Sequence, residues 1–412
     1  MKRVVVTGVG VVSPIGNDVE KFWENIKAGH HGITKITKFD TADFPVKVAA
    51  EVKDFNPLLS MDKKELRKKD LYCQYALEAT RQALADCGTQ FKECNPYRIG
   101  VMVGTGIGGI NTLEEEYRYF LEKGTRPSFL YAIPKIITNI AAGEIAMKYG
   151  FKGKNFNISA ACATSTNTIG EAFSAIKLGK LDACIAGGAE ATITPFNLTG
   201  FNCMKALTTS DDPNRASIPF DKQRSGFVMG EGAGIVVLEE LSHALERNAP
   251  IYAEIVGYGS TADAYHITSP APDGESAAQA ILEACMEAGI EPKEINYFNA
   301  HGTSTVVNDK YETNAIKKAF GEYAKDILIS STKSMTGHLL GGAGAIEAII
   351  CSLSVQNNFV PMTVGYKEYD EECDLNYVTE KGIEKEVIYA ISNSLGFGGH
   401  NAALCIKKYS HS

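Results

Sequence analysis

The 412-residue chain has no excess of positive charge: 41 Lys and Arg stand against 49 Asp and Glu, a formal net charge of -8. A general nucleic-acid binder needs a basic surface, so that class is set aside, and a polyanionic partner would have to meet a local basic patch. The chain also lacks any uninterrupted apolar stretch of about 18 residues, so no membrane-spanning helix is expected. None of its ten cysteines pairs with another at the two-to-four-residue spacing of a zinc knuckle. Cys184 within Ala183-Cys184-Ile185 and Cys405 within Leu404-Cys405-Ile406 read as small hydrophobes, and reduced, cytoplasmic thiols are expected. Low-complexity tracts and long Pro/Ser linkers are missing too, so the chain should pack as one body. The start, Met1-Lys2-Arg3-Val4-Val5-Val6, superficially resembles a secretory signal. Its apolar run is broken by Gly8, Gly10 and Pro14 with no small-residue cleavage site after it, so it reads as a buried first strand.

What is present is an alternation of short β-branched runs with amphipathic helical patterns, which implies an α/β fold with buried strands. Strands are expected at 3–8, 99–104, 183–187, 234–238, 251–257, 296–300, 327–331, 387–392 and 402–407. Helices are expected at 66–86, 163–178, 275–288, 310–319 and 343–355. In the first of these, Cys73, Ala76, Leu77, Thr80, Leu84 and Cys87 make a stripe at helical spacing. An internal repeat adds to this: Gly232 to Glu239 resembles Gly399 to Ile406, and each follows a glycine-rich turn. Two related halves, 1–250 and 251–412, fit the pattern.

Three short motifs carry the chemistry: Ala161-Cys162-Ala163-Thr164-Ser165, Asn299-Ala300-His301-Gly302-Thr303-Ser304-Thr305 and Lys333-Ser334-Met335-Thr336-Gly337-His338. Each places one reactive side chain among small residues at a strand end, and a nucleophilic thiol needs a base that folding can bring from far along the chain. Cys162 precedes a helix, whose N-terminal partial charge favours thiolate. His301, His338 and His400 lie in glycine-rich loops, whereas His30, His31, His243, His266 and His411 have no comparable setting. Lys333 and Glu312 read as charged supports for the histidines or as an ordinary surface ion pair. Lys63 with Arg67 and Lys64 with Lys68 are four apart on an expected helix, a small basic face on an acidic protein. Gly104-Thr105-Gly106-Ile107-Gly108-Gly109 matches a dinucleotide fingerprint after a strand, but no second strand with a closing acidic residue follows. A pocket-forming role fits it better than a nucleotide-binding oxidoreductase.

With these motifs, Ala206-Leu207-Thr208-Thr209, Pro219-Phe220-Asp221-Lys222 and Asn393-Ser394-Leu395-Gly396-Phe397-Gly398-Gly399, the chain resembles the β-ketoacyl-acyl carrier protein synthases over essentially its whole length, most closely the elongating type of bacterial fatty acid synthesis. The resemblance implies a thiolase-like fold, duplicated halves in a five-layer αβαβα sandwich, usually a homodimer. It implies that Cys162 accepts the acyl group, that His301 and His338 bind and activate malonyl, and that Lys333 supports them. Thr268, Thr303, Thr305, Ile107, Phe201 and the gate residue Phe397 match substrate-binding positions. The N–H groups of Cys162 and Phe397 match the oxyanion hole, and Arg67, Lys68 and Lys205 match the surface that receives acyl carrier protein. The implied reaction is decarboxylative condensation of an acyl group with malonyl-carrier protein, with no metal or cofactor. Cys-His-His differs from the Cys-His-Asn of initiating synthases, and Cys162 differs from the nucleophile-lacking chain-length factors of polyketide systems. A polyketide-type ketosynthase and a thiolase acting on CoA thioesters share much of the pattern. Leu395, His400 and Val306 depart from the family's commoner residues and leave the gate's motion and the chain-length preference open.

Overall fold

A strand covered on both faces has to be apolar along its length, and most sheet strands of the computed structural model, which describes residues 1–410, meet that condition. The ten strands of the main sheet are β1 (Val4–Val12), β2 (Ile99–Gly104), β3 (Asn155–Phe156), β4 (Ala183–Glu190), β5 (Gly232–Glu240), β6 (Ala253–Ala262), β7 (Tyr297–Asn299), β8 (Leu328–Ser330), β9 (Tyr389–Gly396) and β10 (His400–Lys407). Six helices matter for the site: α1 (Leu71–Asp86), α2 (Ile140–Tyr149), α3 (Thr164–Lys177), α4 (Glu275–Ala288), α5 (Val306–Phe320) and α6 (Ala343–Asn357).

The strand order is β8-β7-β9-β10-β6-β1-β5-β4-β2-β3. At its middle β1 and β6 pair antiparallel, Val5 opposite Glu254. Outward from this junction each side repeats one pattern, two antiparallel pairings followed by two parallel ones. The repeated Gly232–Glu239 and Gly399–Ile406 segments fall in β5 and β10, the strands next to β1 and β6 on either side.

Side chains alternate between two cores, as the period of a strand requires. Val236 and Leu238 of β5 enter a central core with α3 and α6, while Ile235 and Val237 enter an outer core with α1 and α2. Phe298 of β7, Ile391 of β9 and Cys405 of β10 pack outward against α4 and α5. The result is the five-layer αβαβα arrangement. Every residue of α6 from Ala343 to Val355 is buried, as a largely apolar helix packed against both β5 and β9 has to be.

The helix expected over 66–86 begins only at Leu71. A single turn, Lys63–Leu66, stops at Arg67, and α1 starts afresh at Leu71. Asp70 causes the break: its carboxylate accepts from Tyr72 N–H, capping α1, and from the N–H and hydroxyl of Thr112. The predicted stripe on α1 is buried from Cys73 to Cys87. The apolar segment before Cys162 holds only the two-residue edge strand β3, with Phe156 exposed. All ten cysteines are free thiols, and no described helix is long and apolar enough to cross a membrane. His411 lies outside the described residues.

Candidate active site

Three loops that follow strands converge on one buried point. The turn after β3 carries Cys162 and leads into α3; Ala161 within it adopts φ 48°, a left-handed conformation that turns the chain sharply before the helix. Behind it runs the end of β9, and Gly396 makes that approach possible. A Cβ there would stand 2.7 Å from Ala160 O and 3.2 Å from Cys162 N. The loop after β7 carries His301. Its backbone is held by Glu312 of α5, whose two carboxylate oxygens accept from His301 N–H and Gly302 N–H at 2.7 Å each. Asn393 Nδ2 donates to the same carboxylate. The loop after β8 becomes the turn Lys333–Thr336 and delivers His338, whose backbone is clamped between Val228 O and Gly230 N–H.

The Sγ of Cys162 and one ring nitrogen from each of His301 and His338 all lie within 4.8 Å of one another. The imidazoles stand edge to face, 5.2 Å between centroids, and Phe227 meets His338 in the same way. Burial, then the charge of Lys333, holds both histidines well below the usual imidazole range, so both are neutral. Neither Nδ1 has a partner in the protein. Burial pushes the Cys162 thiol up to about 12, opposed by the Lys333 ammonium and by Phe397 N–H, which points at the sulfur. The resting group is therefore a thiol facing two neutral bases, although a helix N-terminus alone would have favoured thiolate. The three residues are also the one clustered set of potential metal ligands among the described residues, but the adjacent Lys333 charge opposes a further cation.

Lys333 and Glu312 do not form a surface ion pair. Both are buried, and Lys333 pairs with Glu347 of α6, whose carboxyl is raised by desolvation to about 6. Glu312 holds backbone, and burial raises it to about 7.

Two family models match the chain: Beta-ketoacyl synthase, N-terminal domain, over residues 1–244, and Beta-ketoacyl synthase, C-terminal domain, over residues 252–367. The chain belongs to the β-ketoacyl synthase family. It is 50% identical over 408 residues to a 3-oxoacyl-[acyl-carrier-protein] synthase 2 of Staphylococcus aureus, covering 99% of both chains. It is 48% identical to the protein of that name from Synechocystis, covering 99% of this chain and 98% of the other. Among solved structures, a beta-ketoacyl synthase from Burkholderia phymatum superposes with TM-score 0.91 at 32% identity over the full length of both chains. A type II PKS ketosynthase in complex with its acyl-carrier protein does so with TM-score 0.91 at 34% identity, covering 99% of this chain and all of that one.

Within this synthase framework a cavity of about 260 Å³ opens onto the cysteine and both histidines. Phe201, Thr268, Thr303, Thr305 and Phe397 line it, as do Leu395 and Val306. The Thr303 and Thr305 hydroxyls face each other at 2.9 Å. Ile107 does not line the cavity; it packs beneath, in the apolar cluster that holds Cys162, Phe201 and Leu340. Lys205 is exposed at the mouth. Arg67 and Lys68 are exposed on the turn after Leu66, away from the cavity lining. Lys69, the next residue along, does not join this basic face: it is buried against Glu144 at 2.6 Å.

The 104–109 loop cannot cradle a phosphate. Its donors are already used by the buried Glu190 at the end of β4, which accepts from Gly106 N–H at 2.8 Å, Ile107 N–H at 3.2 Å and the Thr105 hydroxyl at 2.8 Å. Gly341 N–H donates to it as well, tying this loop to the segment after His338. Glu190 and Glu347 were not singled out from the sequence. An acidic residue inside a run of small or apolar ones, Gly187-Gly188-Ala189-Glu190 or Ala345-Ile346-Glu347-Ala348, is the signal that marks them.

Proposed function

We propose that the chain lengthens an acyl group by decarboxylative condensation: the acyl group passes from acyl carrier protein to Cys162, then joins malonyl-carrier protein to give a 3-oxoacyl-carrier protein two carbons longer. The observation that carries this is the meeting of one thiol with two neutral, buried imidazoles beside an ammonium group. In the first half-reaction Cys162 sulfur attacks the acyl thioester while its proton passes to a neighbouring imidazole and on to the departing carrier thiolate. In the second, imidazole N–H groups hold the malonyl thioester oxygen as carbon dioxide leaves. The resulting enolate attacks the acyl-cysteine carbonyl. The N–H groups of Cys162 and Phe397 bind the oxyanion, a device whose loss costs on the order of a hundredfold or more in rate. The tetrahedral intermediate then expels the Cys162 thiolate, which regains a proton. Neutral histidines suit this work because they donate to a developing negative charge without pairing off the substrate carboxylate as a salt.

Residues 1–250 would contribute the nucleophile and 251–412 the histidines. Lys205 at the mouth, with Arg67 and Lys68, offers cations to the acidic carrier protein. The exposed edge strand β3 and the exposed Leu121, Leu130 and Ile133 fit pairing with a second copy. Free thiols throughout fit a reducing cytoplasm. A polyketide-type ketosynthase would use the same residues; 50% identity to the elongating synthases, against 34% to the polyketide neighbour, favours fatty acid elongation. His301→Ala should lose malonyl decarboxylation, and undiminished carbon dioxide release would remove its assigned role.

A further inference from the structure

A second thiol, far from Cys162 in the sequence, has a base and an orienting carboxylate. Glu239 of β5 is fully buried and accepts from the Thr7 hydroxyl at 2.8 Å, from Arg247 Nε at 2.7 Å and from Arg247 Nη2 at 2.6 Å. It also faces His243 Nδ1 at 2.5 Å. A carboxylate only accepts, so in the neutral imidazole Nδ1 carries the proton and Nε2 presents its lone pair. That Nε2 stands 3.5 Å from the Sγ of Cys94, on the loop that follows α1. Phe91 stacks on the imidazole, 6.2 Å between centroids and 24° between planes. Cys94 and His243 are both partly exposed on the wall of an open cavity of about 530 Å³, with Lys92 at its rim. Nucleophile, base and orienting group thus stand in line, the arrangement that activates a thiol.

We propose that Cys94 is a modification site that undergoes exchange with low-molecular-weight disulfides, His243 acting as its base and Glu239 as the positioning group. The cavity has the size of a small-molecule site. In the exchange, His243 Nε2 takes the thiol proton as Cys94 sulfur attacks one sulfur of the disulfide. The old S–S bond breaks, a mixed disulfide forms on Cys94, and the departing thiolate leaves as a thiol with the proton from His243. The disulfide is the oxidant. Burial and the Glu239 charge push the Cys94 thiol up, so the resting group is protonated and its exchange depends on the base.

The test is the rate of labelling by hydroxyethyl disulfide, resolved by residue with peptide mass spectrometry on the full-length protein. Cys203, which is more exposed, is the internal reference. Cys94 is expected to label at least tenfold faster than Cys203, and His243→Gln to remove that advantage while leaving the Cys203 rate and condensation unchanged. The proposal is overturned if wild-type Cys94 labels no faster than Cys203, a comparison that needs no variant. It is equally overturned if a folded His243→Gln protein labels Cys94 at the wild-type rate.

Discussion

Replacing Lys333 by Met removes the one ammonium group that acts on Cys162, His301 and His338 together, and its effect on stability can be worked from its partner. Glu347 is buried, pairs with Lys333, and titrates at about 6 in the folded protein. Without the ammonium its carboxyl stays protonated through neutral pH. The folded variant must then hold a proton that the wild type releases, and each pH unit above 6 costs about 1.4 kcal/mol. The gap in unfolding free energy should therefore widen by about 1 kcal/mol between pH 7 and pH 8. The sign is that of a group whose proton is bound in the folded variant and lost on unfolding, so the variant weakens as pH rises. Urea unfolding of wild type, Lys333→Met, Glu347→Gln and the double variant at pH 7 and pH 8 measures this directly. The double variant should lose the pH-dependent part of the gap. A gap that does not change between pH 7 and pH 8, or a double variant as pH-sensitive as Lys333→Met, would refute the reasoning.

Gly396→Ala drives a methyl group to within 2.7 Å of Ala160 O and should cost about 1–3 kcal/mol of stability and slow acylation of Cys162 more than tenfold; wild-type acylation would contradict the close approach. Alkylation of Cys162 by iodoacetamide should climb with pH beyond 9, because its thiol is pushed up to about 12, whereas a thiol of ordinary pKa near 8.5 levels off. A plateau below pH 9 would mean that the resting pair is thiolate and imidazolium. Glu312→Gln keeps the shape but sets an NH₂ against one of two backbone N–H donors, so it should lose about 1–3 kcal/mol by thermal or urea unfolding, with a fall in kcat that Glu312→Asp does not rescue.

The alternation of β-branched runs and helical stripes made the sheet and its helices legible, because a strand covered on both faces and a helix packed on one face each impose a period on the sequence. The split at Asp70 was legible in principle, since Asp before Leu71 is a helix cap and the apolar stripe begins only at Cys73. The three motifs stand out because small residues surround each reactive group. What holds them does not: Lys333 and Glu347 meet through the packing of α6 against the turn after β8, and Glu190 fills a loop some 80 residues earlier. The same limit applies to Cys94 and His243, 149 residues apart, whose neighbourhoods look ordinary in sequence. Short motifs show which groups are reactive, whereas buried charge pairs depend on long-range packing that leaves only an isolated acidic residue in an apolar run.

The most direct test of the central claim is intact-protein mass spectrometry of the purified protein mixed with acyl-carrier protein and then with malonyl-carrier protein. The account predicts an acyl mass on Cys162, absent from Cys162→Ala, that moves to the second carrier as a 3-oxoacyl group extended by two carbons. An acyl group taken only from CoA and never passed to malonyl-carrier protein, or no acylation of Cys162 from either donor, would contradict it.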